Sequence, residues 1–430
     1  TPTKPGEFQA DIIFTDSANP QNTATQRIEF TAQVQTKISL EIVSSHPGGK
    51  DRYVAGYPVR LKVDVDFENY VPTLEQLLTF KVNGSASDGS TCTMDLDGDG
   101  KGECALIIPS SGPKTIEVTF TGNDNFRSSN ASKTITVEQF AAIPTLSAGR
   151  NHTCYLDSTG LMTCWGLGDA IPTAGGKDDT PVPQGTFRQI SSGDYQTCGI
   201  KVDGSIACWG ENTDVTLNIP AGKFVEISSG SEHACAVDVT GHLTCWGNLS
   251  EELANYPKTV KVESVSAGGN FDCAVRKDNR QPVCWGEITN TPQVAVKTLA
   301  AGNTHACAVK TDGQLTCWGS PAMTPPAGNT YTAVDSGSAY SCAQKSDGKI
   351  ECWGSNNPNP DSSAAFDSFS SGFLHTCALK PDGLSHTLSC WGGENRYGEA
   401  PRITISPEAF QQYLVQGKTY RQTFTPSGGN

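Results

Sequence analysis

A chain of 430 residues exceeds what one hydrophobic core supports, so several domains are expected. A formal net charge of −14, with the acidic excess scattered, would repel a phosphate backbone and excludes nucleic acid as an expected partner. With 44 Gly, 25 Pro, no long amphipathic periodicity and no apolar run of the roughly 18 residues that span a bilayer, the chain reads as all-β, with no membrane insertion within it. Its 16 cysteines form eight close pairs without the C-x2-C spacing of a zinc site, which is how a disulfide framework of an oxidising compartment reads. An extracellular or cell-surface location is expected.

Residues 1–36 look like the end of a domain. The stretch GEFQADIIFTDSANPQNTATQRIEF lies over 112–137, with Phe14 on Phe120, Thr15 on Thr121 and Asn19 on Asn125, and both copies read as strand, turn, strand. Residues 37–140 supply the full version. Alternating runs such as PVRLKVDVD, LLTFKVNG, ECALIIP and KTIEVTFTG are separated by Gly, Asn, Asp and Ser clusters, the pattern of a seven-strand sandwich. GYPVRLKVDVD, TFKVNG and TFTGNDNFRSSNASKTITV together resemble bacterial Ig-like repeat domains, which implies an Ig-like β-sandwich over 37–140 and the C-terminal strands of a preceding one over 1–36.

One loop of this segment could hold a cation. Between Cys92 and Cys104, Asp95, Asp97, Asp99 and Gly100 fit the first half of a D-x-D-x-D-G calcium loop and Glu103 takes its ninth position, but Leu106 stands where the bidentate Glu belongs. Either calcium fills these carboxylates or they form a solvated hairpin tip closed by a Cys92–Cys104 cross-strand disulfide. No other cofactor is expected.

From 143 a unit of about 35 residues is repeated seven times, most cleanly as GNTHACAVKTDGQLTCWG at 302–319. In each unit two cysteines sit nearly symmetrically about a turn, ending in Gly in six of the seven, which makes them cross-strand neighbours: Cys154–Cys164, Cys198–Cys208, Cys235–Cys245, Cys273–Cys284, Cys307–Cys317, Cys342–Cys352 and Cys377–Cys390. A Gly preceded by Ala or Ser falls five residues before every first cysteine, where crowding about a central axis demands small residues. All seven tryptophans follow the second cysteines and read as wedges between neighbouring units. His152, His233, His305 and His375 recur two residues before the first cysteine and read as strand ties rather than as a metal ring, because Gln196, Phe271 and Tyr340 interrupt the series.

The G-x-x-H-x-C-A…DG…CWG frame resembles the repeat of regulator of chromosome condensation propellers, in a bacterial, disulfide-bonded form. The resemblance covers 143–402 and implies a seven-bladed β-propeller. After it, ITISP, VQGKTY and TFTPSGG resemble the opening strands of another Ig-like domain over 403–430, so the chain is expected to be a window of a longer multidomain rod with adjacent Ig-like domains.

No G-x-S-x-G elbow, H-E-x-x-H helix or phosphate-cradling loop occurs, so no enzymatic activity is expected. Binding should reside where the repeat varies. The two residues after the repeated Gly differ in every unit and should share one face of the ring, which singles out Arg150, Asn151, Asp194, Tyr195, Glu232, Asn270, Asn303, Thr304 and Phe373. The expected function is a non-enzymatic binding or adhesion module whose propeller face contacts a glycan or protein on another surface. The alternative is a secreted inhibitor or regulator using that face.

Overall fold

The computed structural model describes residues 6–15, 23–32, 35–44, 52–67, 77–83, 91–97, 100–120, 126–140, 142–166, 183, 185–210, 213–288, 290–319, 323–355, 357–358, 360–382, 385–392 and 404–405. The chain divides into two compact units, 1–140 and 141–430.

In the first unit, β1 (Gly6–Thr15) and β2 (Thr23–Ala32) pair antiparallel from Gly6↔Ala32 to Thr15↔Thr23, the strand–turn–strand read from the sequence. Then come β3 (Lys37–Ser44), β4 (Tyr53–Val54), β5 (Pro58–Asp66), β6 (Leu77–Asn83), β7 (Thr91–Asp95), β8 (Lys101–Ile107), β9 (Gly112–Phe120) and β10 (Ser129–Glu138). They make a three-stranded sheet, β3-β5-β8, and a five-stranded sheet, β4-β10-β9-β6-β7. Period-two alternation decides which side chains face inward: Val59, Leu61, Val63 and Val65 of β5 and Ile116, Val118 and Phe120 of β9 share one core, with Phe67 packed edge-on against Phe120 and Phe126.

The expected 92–104 hairpin is not one. Cys92 stands opposite Phe80 in the larger sheet and Cys104 opposite Leu61 in the smaller, so the segment passes from one sheet to the other instead of folding back within one. Cys104 is disulfide-bonded, whereas the side chain of Cys92 lies outside the described residues.

The second unit contains, among the described residues, seven small antiparallel sheets in chain order. Each has an inner, a middle and an outer strand: Thr145–Ala148, His152–Leu156 and Met162–Gly166 in the first; Phe187–Ser192, Gln196–Lys201 and Ile206–Gly210 in the second; Phe224–Ser229, His233–Asp238 and Leu243–Gly247 in the third; Val262–Ala267, Phe271–Arg276 and Pro282–Gly286 in the fourth; Val296–Ala301, His305–Lys310 and Leu315–Gly319 in the fifth; Tyr331–Ser336, Tyr340–Lys345 and Ile350–Gly354 in the sixth; Ser368–Ser371, His375–Asp382 and Ser385–Gly392 in the seventh. Thr404–Ile405, expected to open a further domain, instead adds a fourth strand to the seventh sheet, opposite Thr387 and His386. The outer strand there runs eight residues rather than five and leaves an edge long enough to pair.

Each predicted repeat disulfide forms, between residues directly opposite in the ladder and with Cα atoms 4.0–4.1 Å apart. The hairpin turn between them does a second job. Its Gly, at φ 79 to 91° in Gly160, Gly204, Gly241 and Gly313, offers its carbonyl to the first N–H of the next sheet, as in Phe224 N to Gly204 O at 2.9 Å, and Gly348, at φ 82°, offers its own to Phe366 N just before the seventh sheet. The fourth turn carries one residue more, and Arg280 takes the same role at φ 59°. Each wedge is filled as the repeated tryptophans indicated. Trp246 packs with Cys198 and Cys208, Trp285 with Cys235 and Cys245, Trp353 with Cys307 and Cys317, and Trp165 closes the circle on Cys377 and Cys390. Every one of these indoles covers the disulfide of the sheet before it.

Candidate functional site

The inner strands converge on an axis where backbone meets backbone. At Gly149, Gly193, Gly230, Gly268, Gly302, Gly337 and Gly372, a Cβ would lie 2.1–2.5 Å from the carbonyl oxygen of the next glycine in the series, and Gly372 returns to Gly149. No larger residue fits, and the ring of sheets is closed.

Two belts of hydrogen bonds hold this closure. In the first, a Ser hydroxyl two residues before the ring glycine accepts the backbone N–H of the next sheet: Ser192 N to Ser147 Oγ at 2.7 Å, Ser229 N to Ser191 and Ala267 N to Ser228 at 2.9 Å, Ala301 N to Ser266 at 2.9 Å, and Ala148 N to Ser370 at 3.1 Å. Ala300 has no hydroxyl to offer, and Asp335 repairs the break. Its Oδ1 accepts Ser336 N at 2.9 Å while Oδ2 accepts Ser371 N at 2.7 Å. Burial pushes the Asp335 carboxyl up to about 6, and also pushes Glu226, two positions before Ser228 on its strand, up to about 7.

The second belt uses the polar residue two before the first cysteine, which every sheet but the fourth carries. Nε2 of His152 meets Thr197 Oγ1 at 2.8 Å, His233 meets Asp272 at 2.7 Å, His305 meets Ser341 at 2.8 Å and His375 meets Thr153 at 2.8 Å. Where the next sheet offers Ala234, Gln196 reaches the carbonyls of Gly230 and His233 instead. Burial holds His152, His305 and His375 down to about 4. His233, Cys235 and Asp272 bring metal-ligand atoms together, but Cys235 is bonded to Cys245 and has no thiolate to give.

The axis opens, at the end carrying the ring glycines, into a cavity of about 210 Å³ built from the same positions of all seven sheets. The structure divides the predicted pairs of variable residues. The first of each pair turns inward: Asp194, Asn303 and Phe373 line the cavity, and Arg150 stands at its rim. The second turns outward, so that Tyr195, Glu232, Asn270 and Thr304 are exposed and Asn151 is half-buried.

Arg150 organises one side of this mouth. Its Nη1 donates to Asp194 Oδ2 at 3.2 Å, its guanidinium carbon lies 4.4 Å from the centre of the Phe373 ring, and the Tyr195 ring stands 5.7 Å away. Burial nevertheless holds the Asp194 carboxyl above the ordinary carboxylate range. Two rim residues escaped the sequence reading. Asn248 donates to Glu232 at 2.6 Å, and in the next sheet the chemistry is exchanged, with Asn270 donating to Glu287 at 3.0 Å. Asn248 and Glu287 each follow a Trp-Gly, and that shared offset was the available signal.

The acidic loop of the first unit is put to structural use where it is described. Asp97 accepts the backbone N–H of Lys101 at 2.8 Å, and Glu103 lies on β8, 3.9 Å from Arg60. The side chains of Asp95 and Asp99 lie outside the described residues.

Residues 145–170, 224–250 and 296–322 match the model of the Regulator of chromosome condensation (RCC1) repeat. The repeats are RCC1-like. The ring is similar to the CRINKLY WD40 ectodomain of the Arabidopsis thaliana receptor kinase ACR4, with TM-score 0.51 and 23% identity over 61% of this chain and 100% of that one. It is also similar to the entire ectodomain of the Physcomitrella patens receptor kinase CR4, with TM-score 0.50 and 24% identity over 60% and 74% of the two chains. These likenesses show an RCC1-like propeller fold. No curated protein sequence matches the chain.

Proposed function

We propose that the chain is a non-enzymatic binding module of a bacterial cell-surface or secreted multidomain protein, with the glycine-ring face of a seven-bladed propeller contacting a glycan or a protein on another surface. One observation carries the reading. The repeat spends its His, Cys, Trp and Ser on holding the ring together, and side chains that differ from sheet to sheet gather at one mouth of the axis. A rigid scaffold that displays variable residues around a concavity is a binding architecture.

The seven repeat disulfides support an oxidising, extracellular setting, and among the described residues no helix is long and apolar enough to cross a membrane. Both solved structures compared above are receptor ectodomains, which fits display outside a cell. In this reading the two-sheet unit over 37–140 is an Ig-like spacer, 1–36 is the tail of another, and much of 403–430 opens a third. Calcium at the acidic loop would stiffen such a spacer, and a melting curve unchanged between chelator and millimolar calcium would remove it.

The test is an array of glycans and of proteins probed with the full chain and with a chain from which the ring is deleted. The reading expects a ligand that only the full chain retains. Equal retention by the ring-deleted chain would place adhesion in the spacers.

A further inference from the structure

The cavity at the mouth has two unlike walls. On the side of the sheets numbered seven, one and two, Phe373 and Asp194 line the cavity, Arg150 stands at its rim, and Tyr195, which is 39% exposed and faces outward, flanks that rim beside Arg150. The sheets opposite contribute Ser231, Gly269, Asn303 and Ser338 at the mouth and Asp335 on the sixth inner strand. Gly269 is what admits the amide, since a Cβ there would lie 1.9 Å from Asn303 Oδ1.

The polar inventory on the aromatic side is half used. A guanidinium carries five N–H donors. Arg150 spends Nη1 on Asp194, and among the described residues Nε and Nη2 have no hydrogen-bond partner. The group is therefore already oriented, by a carboxylate on one edge and a ring on one face, with a donor fork left over. Asp194 Oδ2 is held by Arg150.

Charge narrows the ligand. The charged side chains among the described residues lining the cavity are Asp194 and Asp335, with Arg150 beside them at the rim, so an anionic ligand would meet two carboxylates for one guanidinium. A metal ion finds no open carboxylate cluster, because both oxygens of Asp335 accept backbone N–H groups and Asp194 is paired to Arg150. What fits is a compact neutral molecule with a C–H face for an aromatic ring and a rim of hydroxyls that both donate and accept. A sugar ring has that chemistry, and about 210 Å³ is room for one.

Resting on the binding-module reading above, we propose that the mouth between Arg150, Asp194, Tyr195 and Asn303 binds a neutral sugar residue at the end of a glycan. The Arg150 fork donates to adjacent hydroxyls, Asn303 completes the polar rim, and Tyr195 covers the C–H face.

The test titrates the full chain with methyl β-galactoside, methyl β-glucoside, methyl α-mannoside and methyl N-acetyl-β-glucosaminide, with glucuronate as the charged control, followed by calorimetry and ligand-observed NMR. At least one neutral glycoside should saturate, and it should bind at least tenfold more tightly than glucuronate. Tyr195→Ala, at an exposed position that leaves the core untouched, and Arg150→Ala should each weaken binding tenfold or more, while Lys349→Ala, beside a hairpin turn at the other end of the strands, should leave it unchanged. Absence of saturation by every neutral probe, or saturation indifferent to Tyr195 and Arg150, overturns the proposal. If the mouth variants abolish capture of a protein while no glycoside binds, the binding-module reading survives and the sugar site does not.

Discussion

Nε2 of His375 lies 2.8 Å from Oγ1 of Thr153, a bond that spans 222 positions and joins the seventh sheet to the first. The same rule holds around the ring: a His in one sheet is answered by Thr, Asp or Ser in the next, and Phe271 is followed by Ala306. Thr153→Ala should leave a buried imidazole nitrogen unpaired and cost about 1–3 kcal/mol in a denaturant melt. Adding His375→Phe rebuilds the apolar Phe–Ala pairing that the chain itself uses at 271 and 306, so the double variant should recover part of that loss.

Asp335 and Ala300 form a second complementary pair. Asp335→Ser should remove the only acceptor described for Ser336 N, since Ala300 has no hydroxyl, and should lower stability by about 1–2 kcal/mol. Ala300→Ser in that background restores the serine belt, and its stability should return toward that of the parent. Two losses that simply add would show that the belt is not the reason for the carboxylate.

Stability should respond to pH through groups of opposite sign. His305 is held at about 4, below its unfolded value, so the unfolded chain takes up the proton first and stability is lost as pH falls from about 6.5 toward 4. His305→Gln, the solution found at Gln196, should flatten that limb of a melting-temperature profile. Glu226 is pushed up to about 7, so its ionisation disfavours the fold as pH rises from about 4.5 through 7. Glu226→Gln should therefore stabilise at pH 8 and make no difference below pH 4.5.

Each staple supports a neighbour as well as its own hairpin. Removing Cys307–Cys317 by paired Ala substitutions should cost about 2–3 kcal/mol from the loop constraint, and more from the lost packing beneath Trp353. Denaturant melts under oxidising conditions give the total. Trp353 fluorescence shifted to longer wavelength identifies the second contribution.

Much of the ring was legible because its determinants repeat at fixed offsets. Glycine before each cysteine pair marked the axis, and cysteines equidistant from a turn gave the staples. What did not repeat by residue type was harder to read. The serine belt was hidden because Ser two places before a glycine reads as turn chemistry, and its sixth member is an aspartate. Matching of His to the following sheet was visible only by comparing position 153 with 375, or 272 with 233, one unit apart. At 92–104 spacing misled, because closeness in sequence does not say whether two strands share a sheet. The mouth was half read: varying residues were found, but which of each pair turns inward depends on the strand end, where Asp194 lines the cavity and Tyr195 does not.

The most direct measurement is binding of the full chain to its array ligand after Arg150, Asp194 and Tyr195 are all replaced by Ala, beside a control in which Lys223 and Lys349 at the opposite, hairpin-turn end are replaced by Ala. The mouth variant, melting at a temperature close to that of the parent, should lose binding by a hundredfold or more while the control retains it. Undiminished binding by the mouth variant, or loss in the control alone, would contradict the assignment of function to the glycine-ring face.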